Sequence, residues 1–285
     1  MGYDVIFLPA VDEPSLEAGF KAALPMLRAG KGHLIGCFVL ERFPVRALPE
    51  PYWQNTTQEA YQALNTARRE TLEGLFHRLC AESQIDVIEP GAIGKRGEAT
   101  ASFEVFEGDR ADLQSGRAQL ADLAILPIPD DQSAHWMTFI ADDLLTLSGT
   151  PLLVVPDRSE WKEPRRLLVG WNGRLEASRA LRQAVPFALN AEQVTILSVN
   201  EATPAWPSAA DAAGYLGRKG VHVKPVQVDR GDRATEDILA EEARSMNADL
   251  LVIGAYSRPR WREALLGGVT RSMLRQPPLP VLLAN

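Results

Sequence analysis

The residues whose types and spacing suit chemistry lie together near the end of the chain, at 254–270, reading GAYSRPRWREALLGGVT. They follow Ala248-Asp249-Leu250-Leu251-Val252-Ile253, an apolar run too short and too β-branched for a helix, which reads as a buried strand. Gly267-Gly268-Val269-Thr270 then lead into Arg271-Ser272-Met273-Leu274-Arg275, a short helical pattern. A strand, a glycine exit, a loop and paired glycines at a helix start would suit an anion. The first helical turn offers unpaired N–H groups and the positive end of the dipole. Glycines such as Gly254, Gly267 and Gly268 let a phosphate approach the main chain. Arg258, Arg260 and Arg262 would add charge-assisted contacts to phosphate oxygens. The plainer reading of those arginines is a solvated loop anchored by Trp261, and both stay open.

No catalytic constellation accompanies this stretch. The histidines, His33, His77, His135 and His222, are scattered through different elements. His77 and Cys80 stand one helical turn apart but lack the second pair of ligands a metal needs. Asp142-Asp143 and Glu241-Glu242 are adjacent pairs, which diverge on a helix. Asp109 and Asp232 each fall between a strand and a helix, where N-capping accounts for them. No catalytic residue and no metal site is expected.

An internal repeat organises the chain. A strand at 4–9, a helix at 13–28 and a strand at 33–40 recur as a strand at 166–170, a helix at 175–189 and a strand at 193–199. Both helices carry a proline, Pro25 and Pro186, which at about 3 kcal/mol of lost helix propensity is hard to ascribe to chance. Gly108-Asp109-Arg110-Ala111 recurs as Gly231-Asp232-Arg233-Ala234, after apolar strands at 103–106 and 221–228. Ala121-Asp122-Leu123 recurs as Ala248-Asp249-Leu250, and Pro151-Leu152-Leu153 as Pro280-Val281-Leu282. Strands alternating with helices, five strands in each copy, describe two tandem parallel α/β domains. The expected bounds are 1–156 and 165–285, joined by a charged, proline-flanked linker at 157–164.

The first copy carries an insertion near 43–83: a proline-rich segment, then a helix at 57–83 with apolar positions at Ala60, Leu64, Ala67, Leu72, Leu75, Phe76 and Leu79. The glycines at 91–97 lack the remaining signature of a phosphate loop and read as a connector. After Leu126 the first copy has Pro127-Ile128-Pro129 and a helix at 134–147, with no glycine exit and no paired glycines. It is expected to bind no nucleotide.

On these residues the chain resembles the universal stress protein family. Its ATP-binding members carry Gly, two residues, Gly, nine residues, then Gly followed by Ser or Thr. Gly254 and Gly267 match the first and last glycines, while Ser257 replaces the middle glycine and Gly268 replaces the Ser/Thr. The resemblance implies doubly wound, Rossmann-like five-stranded parallel sheets of order 3-2-1-4-5. Ligands of such sheets sit where the strand order reverses. In the second half that crevice would be lined by Gly170, Trp171, Asn172, Ile253 and Gly254, and closed by Gly267, Gly268, Val269 and Thr270. Val199 matches the position flanking ribose and adenine, and Asn172 stands where the relatives have Asp. A turn before a helix is the plainer reading of Asn172-Gly173. A non-glycine residue held left-handed at 257 would cost on the order of 1 kcal/mol. A lost hydroxyl contact would cost ~1–3 kcal/mol more, together a roughly ten- to thousandfold weakening.

The implied protein is a cytoplasmic stress-response regulator or binding module that takes ATP or a related adenine nucleotide, with Mg²⁺, in its second half. The alternatives are a non-nucleotide scaffold of the same fold or a weak ATP hydrolase. The resemblance further implies pairing of the two halves through their fifth strands, which would leave the surface of the insertion free to form a homodimer. Composition agrees: 46% hydrophobic and 24% charged residues exclude a disordered chain, and a net charge of −7 argues against a nucleic-acid binder. No apolar run spans a bilayer, so no membrane partner is expected. MGYDVIFLPAVDE has neither the form of a signal peptide nor of a myristoylation site. Cys37 and Cys80, two lone cysteines, fit a reducing compartment.

Overall fold

The computed structural model describes residues 2–41, 55–94, 97–129, 134–156, 161–199, 207–256 and 268–285, with backbone only at 55–58 and 134–135. In the first half the elements are β1 (Val5–Pro9), α1 (Glu13–Gly30), β2 (His33–Glu41), α2 (Asn55–Glu82), β3 (Asp86–Val87), β4 (Thr100–Gly108), α3 (Arg110–Ala118), β5 (Leu123–Ile128), α4 (Ala134–Asp143) and β6 (Leu152–Pro156). In the second they are β7 (Arg166–Trp171), α5 (Leu175–Gln183), α6 (Val185–Asn190), β8 (Gln193–Val199), α7 (Ala209–Gly217), β9 (Val223–Val228), α8 (Thr235–Ser245), β10 (Leu250–Gly254), α9 (Gly268–Arg275) and β11 (Val281–Ala284).

The strands form one sheet, ordered β3-β4-β2-β1-β5-β6-β11-β10-β7-β8-β9. Read from either outer edge, each half has the order 3-2-1-4-5, with the two-residue β3 added outside β4. Every neighbouring pair is parallel except β6 and β11, which run antiparallel with Leu152 opposite Leu283 and Val154 opposite Val281. Successive residues of each strand feed opposite faces, so both faces must be covered. Ile6, Leu8, Leu167 and Val169 pack with α1, α2, α5, α6 and α7 on one face. Phe7, Leu168, Leu251 and Leu283 pack with α3, α4, α8 and α9 on the other.

The recurring Ala-Asp-Leu has a direct physical role. Asp122 Oδ2 accepts the backbone N–H groups of Asp4 and Val5, both at 2.9 Å. Asp249 Oδ2 accepts those of Arg165 and Arg166, both at 2.8 Å. Each carboxylate therefore fixes where the first strand of its half enters the sheet, satisfying two donors that precede the ladder.

Several expectations are corrected. The helix at 175–189 is broken at Ala184 into α5 and α6, with Pro186 in the first turn of α6, where no N–H is required. The equivalent Pro25 stays inside α1. The helix at 134–147 ends at Asp143 and passes into a π-helical turn at Leu144–Ser148. Asp109 caps α3 by accepting from Asp112 N at 3.1 Å, but Asp232 caps nothing. With Gly231 at φ +54° the chain makes a further turn, and α8 starts only after Ala234. The apolar stripe of α2 is covered only in its C-terminal half: Leu72 and Phe76 are buried, whereas Leu64 is 67% exposed.

Replacing Asp249 by Ala is expected to lower stability by about 1–2 kcal/mol, two partly solvated charge-assisted bonds being lost. Asp122→Ala should cost a similar amount, and both are read from urea unfolding midpoints.

Candidate functional site

The strand order reverses between β7 and β10, which lie side by side with Leu168 opposite Leu251 and Val169 opposite Val252. Gly170 sits near the carboxyl end of β7, facing α8. A Cβ there would lie 3.0 Å from Ile253 Cγ2 and 3.3 Å from Leu239 Cδ2, so the missing side chain lets α8 settle close to the strand end. Gly254 is tighter still. A Cβ would meet Ala177 N at 2.5 Å and Glu176 C at 2.6 Å, the backbone of the first turn of α5. This glycine is thus required by helix-on-strand packing before any ligand is considered. Beyond it Tyr256 takes φ +56°, a left-handed position that costs a non-glycine residue on the order of 1 kcal/mol or more and turns the chain sharply off the strand.

The other residues read from the sequence fall into three groups. Trp171 does not line an open crevice. It is buried on the α5 and α7 face, and its indole N–H donates to Pro207 O at 2.8 Å. Ile253 is a core residue on the opposite face, and Val199 is half-buried at the end of β8 beside Val228. Asn172 is exposed, and its Oδ1 accepts the N–H of Arg174 at 3.0 Å, an Asx turn continued through Gly173 at φ +70°. One oxygen lone pair and the amide donors stay available. Gly268 opens α9, Val269 is half-buried and Thr270 is buried. Ser257, Arg258, Arg260, Arg262 and Gly267 lie outside the described residues.

One neighbour of this site gave little sequence signal. Glu236, in the first turn of α8, brings Oε1 to 3.1 Å from where a Cβ of Gly268 would stand. A carboxylate therefore occupies the very helix start that suits an anion. The repeat places Leu113 at the matching position of the first half, so the only clue was an acid where the other copy is apolar.

The corresponding end of the first half carries a cluster of its own side chains. Arg110, from the recurring Gly-Asp-Arg-Ala, stacks over Trp136 with its guanidinium carbon 4.8 Å from the ring centroid. It also lies 3.4 Å from Glu41 and 3.7 Å from Asp143. A cation–π contact and two ion pairs thus tie the end of β2 to α3 and α4.

Burial raises the Cys37 thiol to about 12, and burial likewise raises Cys80 to about 12, so neither is a thiolate near neutrality. Burial holds His33 below its ordinary value, with Arg117 acting in the same direction and Glu104 opposing it. Its ring nitrogens face the Thr100 and Ser102 hydroxyls at 2.9 and 3.0 Å. Glu104 is buried and doubly bonded by Arg117 at 2.6 and 2.9 Å, a pair that docks α3 on β4. No group of three or more His, Cys, Asp and Glu able to hold a metal occurs among the described residues. None of their helices is long and apolar enough to cross a membrane.

This architecture, two doubly wound parallel α/β units joined through their fifth strands, defines the class of protein. Residues 163–285 match the model of the universal stress protein family. The whole fold is similar to that of a universal stress protein from Archaeoglobus fulgidus DSM 4304, with a TM-score of 0.74 at 14% identity over 99% of this chain and 96% of the other. It is also similar to a functionally unknown protein from Pseudomonas aeruginosa PAO1, with a TM-score of 0.57 at 16% identity over 99% and 92%. These likenesses are ones of fold. No curated protein matches the chain in sequence.

Replacing Gly254 by Ala is expected to destabilise the protein by about 1–3 kcal/mol, because the added methyl meets backbone that cannot rotate away. Gly116 in α3, with nothing within 4 Å of an added Cβ, is the control. Gly116→Ala should be neutral or stabilising by about 0.5–1 kcal/mol. Thermal and urea unfolding of both variants check the contrast.

Proposed function

We propose that the second half binds an adenine nucleotide at the carboxyl ends of β7 and β10. Occupancy of that site would be what the protein contributes, as a cytoplasmic regulator or binding module, to a stress response. The observation that carries the reading is the reversal of strand order between β7 and β10, with Gly268 opening α9 beyond it. We assign Asn172 to the base or ribose, through its amide donors. Val199, half-buried at the end of β8, supplies apolar surface beside it, with Ile253 in the core behind. The start of α9, with Gly267, Ser257 and the arginines Arg258, Arg260 and Arg262, is assigned to the phosphates.

Glu236 shapes what that site accepts. A carboxylate beside the first turn of α9 opposes a bare phosphate by about 0.3–1 kcal/mol, the scale of a charge at a helix end. A phosphate that arrives with a divalent cation suffers less. Mg²⁺-bound ATP is accordingly the ligand we assign, in preference to the free nucleotide. The same carboxylate, with the Asn172 oxygen already in a turn, is what favours the second reading, a scaffold of this fold that takes no nucleotide.

Two features bear on assembly. The antiparallel β6–β11 pair supports a protein whose halves stay joined within one chain. The uncovered stripe around Leu64 on α2 supports a homodimer through the insertion. Light scattering that finds a monomer at all concentrations would remove the dimer.

Calorimetric titration with ATP, with and without Mg²⁺, tests the site. The wild type should show one site per chain that depends on Mg²⁺, and Gly267→Val should abolish it. Glu236→Gln should tighten binding about two- to fivefold and reduce the dependence on Mg²⁺. No heat at millimolar ATP, with no nucleotide carried through purification, leaves the scaffold as the reading.

A further inference from the structure

A second cavity lies far from the strand ends just described, where the two halves meet on the α1 and α6 face. Its volume is about 360 Å³, enough for a small organic molecule. The repeat builds it. Pro25, Met26 and Ala29 of α1 line one side, and Pro186, Phe187 and Asn190, at the equivalent positions of α6, line the other. Each recurring proline therefore faces the space between the halves.

The chemistry of the wall is one-sided. Three aromatic rings run in sequence along it. Tyr3 and Phe187 have centroids 5.2 Å apart, and Phe187 and Trp161 have centroids 5.8 Å apart in an edge arrangement. Tyr3 is fixed by donating its hydroxyl to Gln183 O at 2.5 Å, and burial, with Asp122 nearby, raises its pKa and keeps it neutral. Two carboxylates, Asp4 and Glu163, stand at the rim, and among the described residues no Lys, Arg or His side chain lines the cavity. Asn190 Nδ2 donates to Glu163 Oε1 at 2.8 Å and so orients that carboxylate. Helix α1 ends here at Gly30 with the negative end of its dipole, and Asp4 Oδ1 lies 4.0 Å from where a Cβ of Gly30 would be. One donor is left over: the Trp161 Nε1–H is buried and has no hydrogen-bond partner among the described residues.

Aromatic faces, carboxylates and a helix C-terminus all favour positive charge, and an orphan buried donor asks for an acceptor. We infer that this cavity binds a small organic ammonium compound that also carries a hydrogen-bond acceptor. The ammonium head rests against Phe187 and Trp161 within reach of Glu163 and Asp4, and the acceptor meets the Trp161 N–H. The site joins residues of both halves, so its ligand also stabilises their association. None of this depends on the nucleotide reading.

Choline supplies the test, having a quaternary ammonium head and a hydroxyl acceptor. Its uncharged isostere, 3,3-dimethylbutan-1-ol, is the control of equal shape. Calorimetry on the full chain should find saturable choline binding at least about tenfold tighter than the isostere, the size of a desolvated cation–π contact with carboxylate help. Glu163→Gln and Phe187→Leu should each weaken it about three- to tenfold while leaving the far-ultraviolet circular dichroism unchanged. Tetramethylammonium, which lacks the acceptor, should bind more weakly than choline. Equal affinity for choline and the isostere overturns the inference, as does the absence of saturable choline binding at tens of millimolar. Undiminished binding in both variants overturns it too.

Discussion

The antiparallel pairing of β6 with β11 is the constraint from which the rest of the architecture follows. Each half is a parallel sheet whose fifth strand is apolar on both faces, Leu152–Pro156 in one and Val281–Ala284 in the other. Left bare, each would present an unpaired, greasy edge of the kind that templates aggregation. Zipped together, the strands satisfy one another and turn two sheets into one. The antiparallel sense relates the halves by an approximate twofold rotation. The proline end of α1 therefore meets the proline end of α6 on one face, and α4 packs against α9 on the other.

That rotation makes the two carboxyl ends comparable, and they have diverged. In the first half the arginine of Gly-Asp-Arg-Ala is drawn inward, stacked on Trp136 and held by Glu41 and Asp143. In the second, Arg233 turns outward to Glu241 and the carbonyl of Asp229, and the helix start beyond is faced by Glu236. One copy holds its cation among its own side chains; the other offers a helix terminus faced by an anion. Helix α9 lies on α4, the helix that carries Trp136.

Much of this was legible in the residues. The recurrence of Ala-Asp-Leu marked the strand beside the first one, and the carboxylates that bind two backbone donors explain why that acid recurs. The strand order came from the family resemblance and not from periodicity, which says nothing of lateral order. What escaped was side-chain direction and contacts between distant elements. Trp171 shares the parity of Leu167 and Val169, so its burial on the α5 face is readable from the strand, while Gly170 beside it has the opposite parity and faces α8. Glu236 acts through a contact between α8 and α9, and no local pattern encodes that. The split of α5 from α6 came from Pro186, while Pro25 in the equivalent place stayed within one helix. Tertiary packing, not propensity, decided between them. The exposed Leu64 on α2 has the same lesson: an amphipathic period declares a face without supplying its partner.

We propose that one crevice, in the second half alone, takes a nucleotide. Hydrogen–deuterium exchange of the intact protein with and without Mg²⁺-ATP addresses it most directly. The account expects slower exchange at the ends of β7 and β10 and in the first turn of α9, with α3 and the start of α4 unchanged except where α4 meets α9. Protection centred on α3 and Arg110, or no change anywhere at saturating nucleotide, would contradict it.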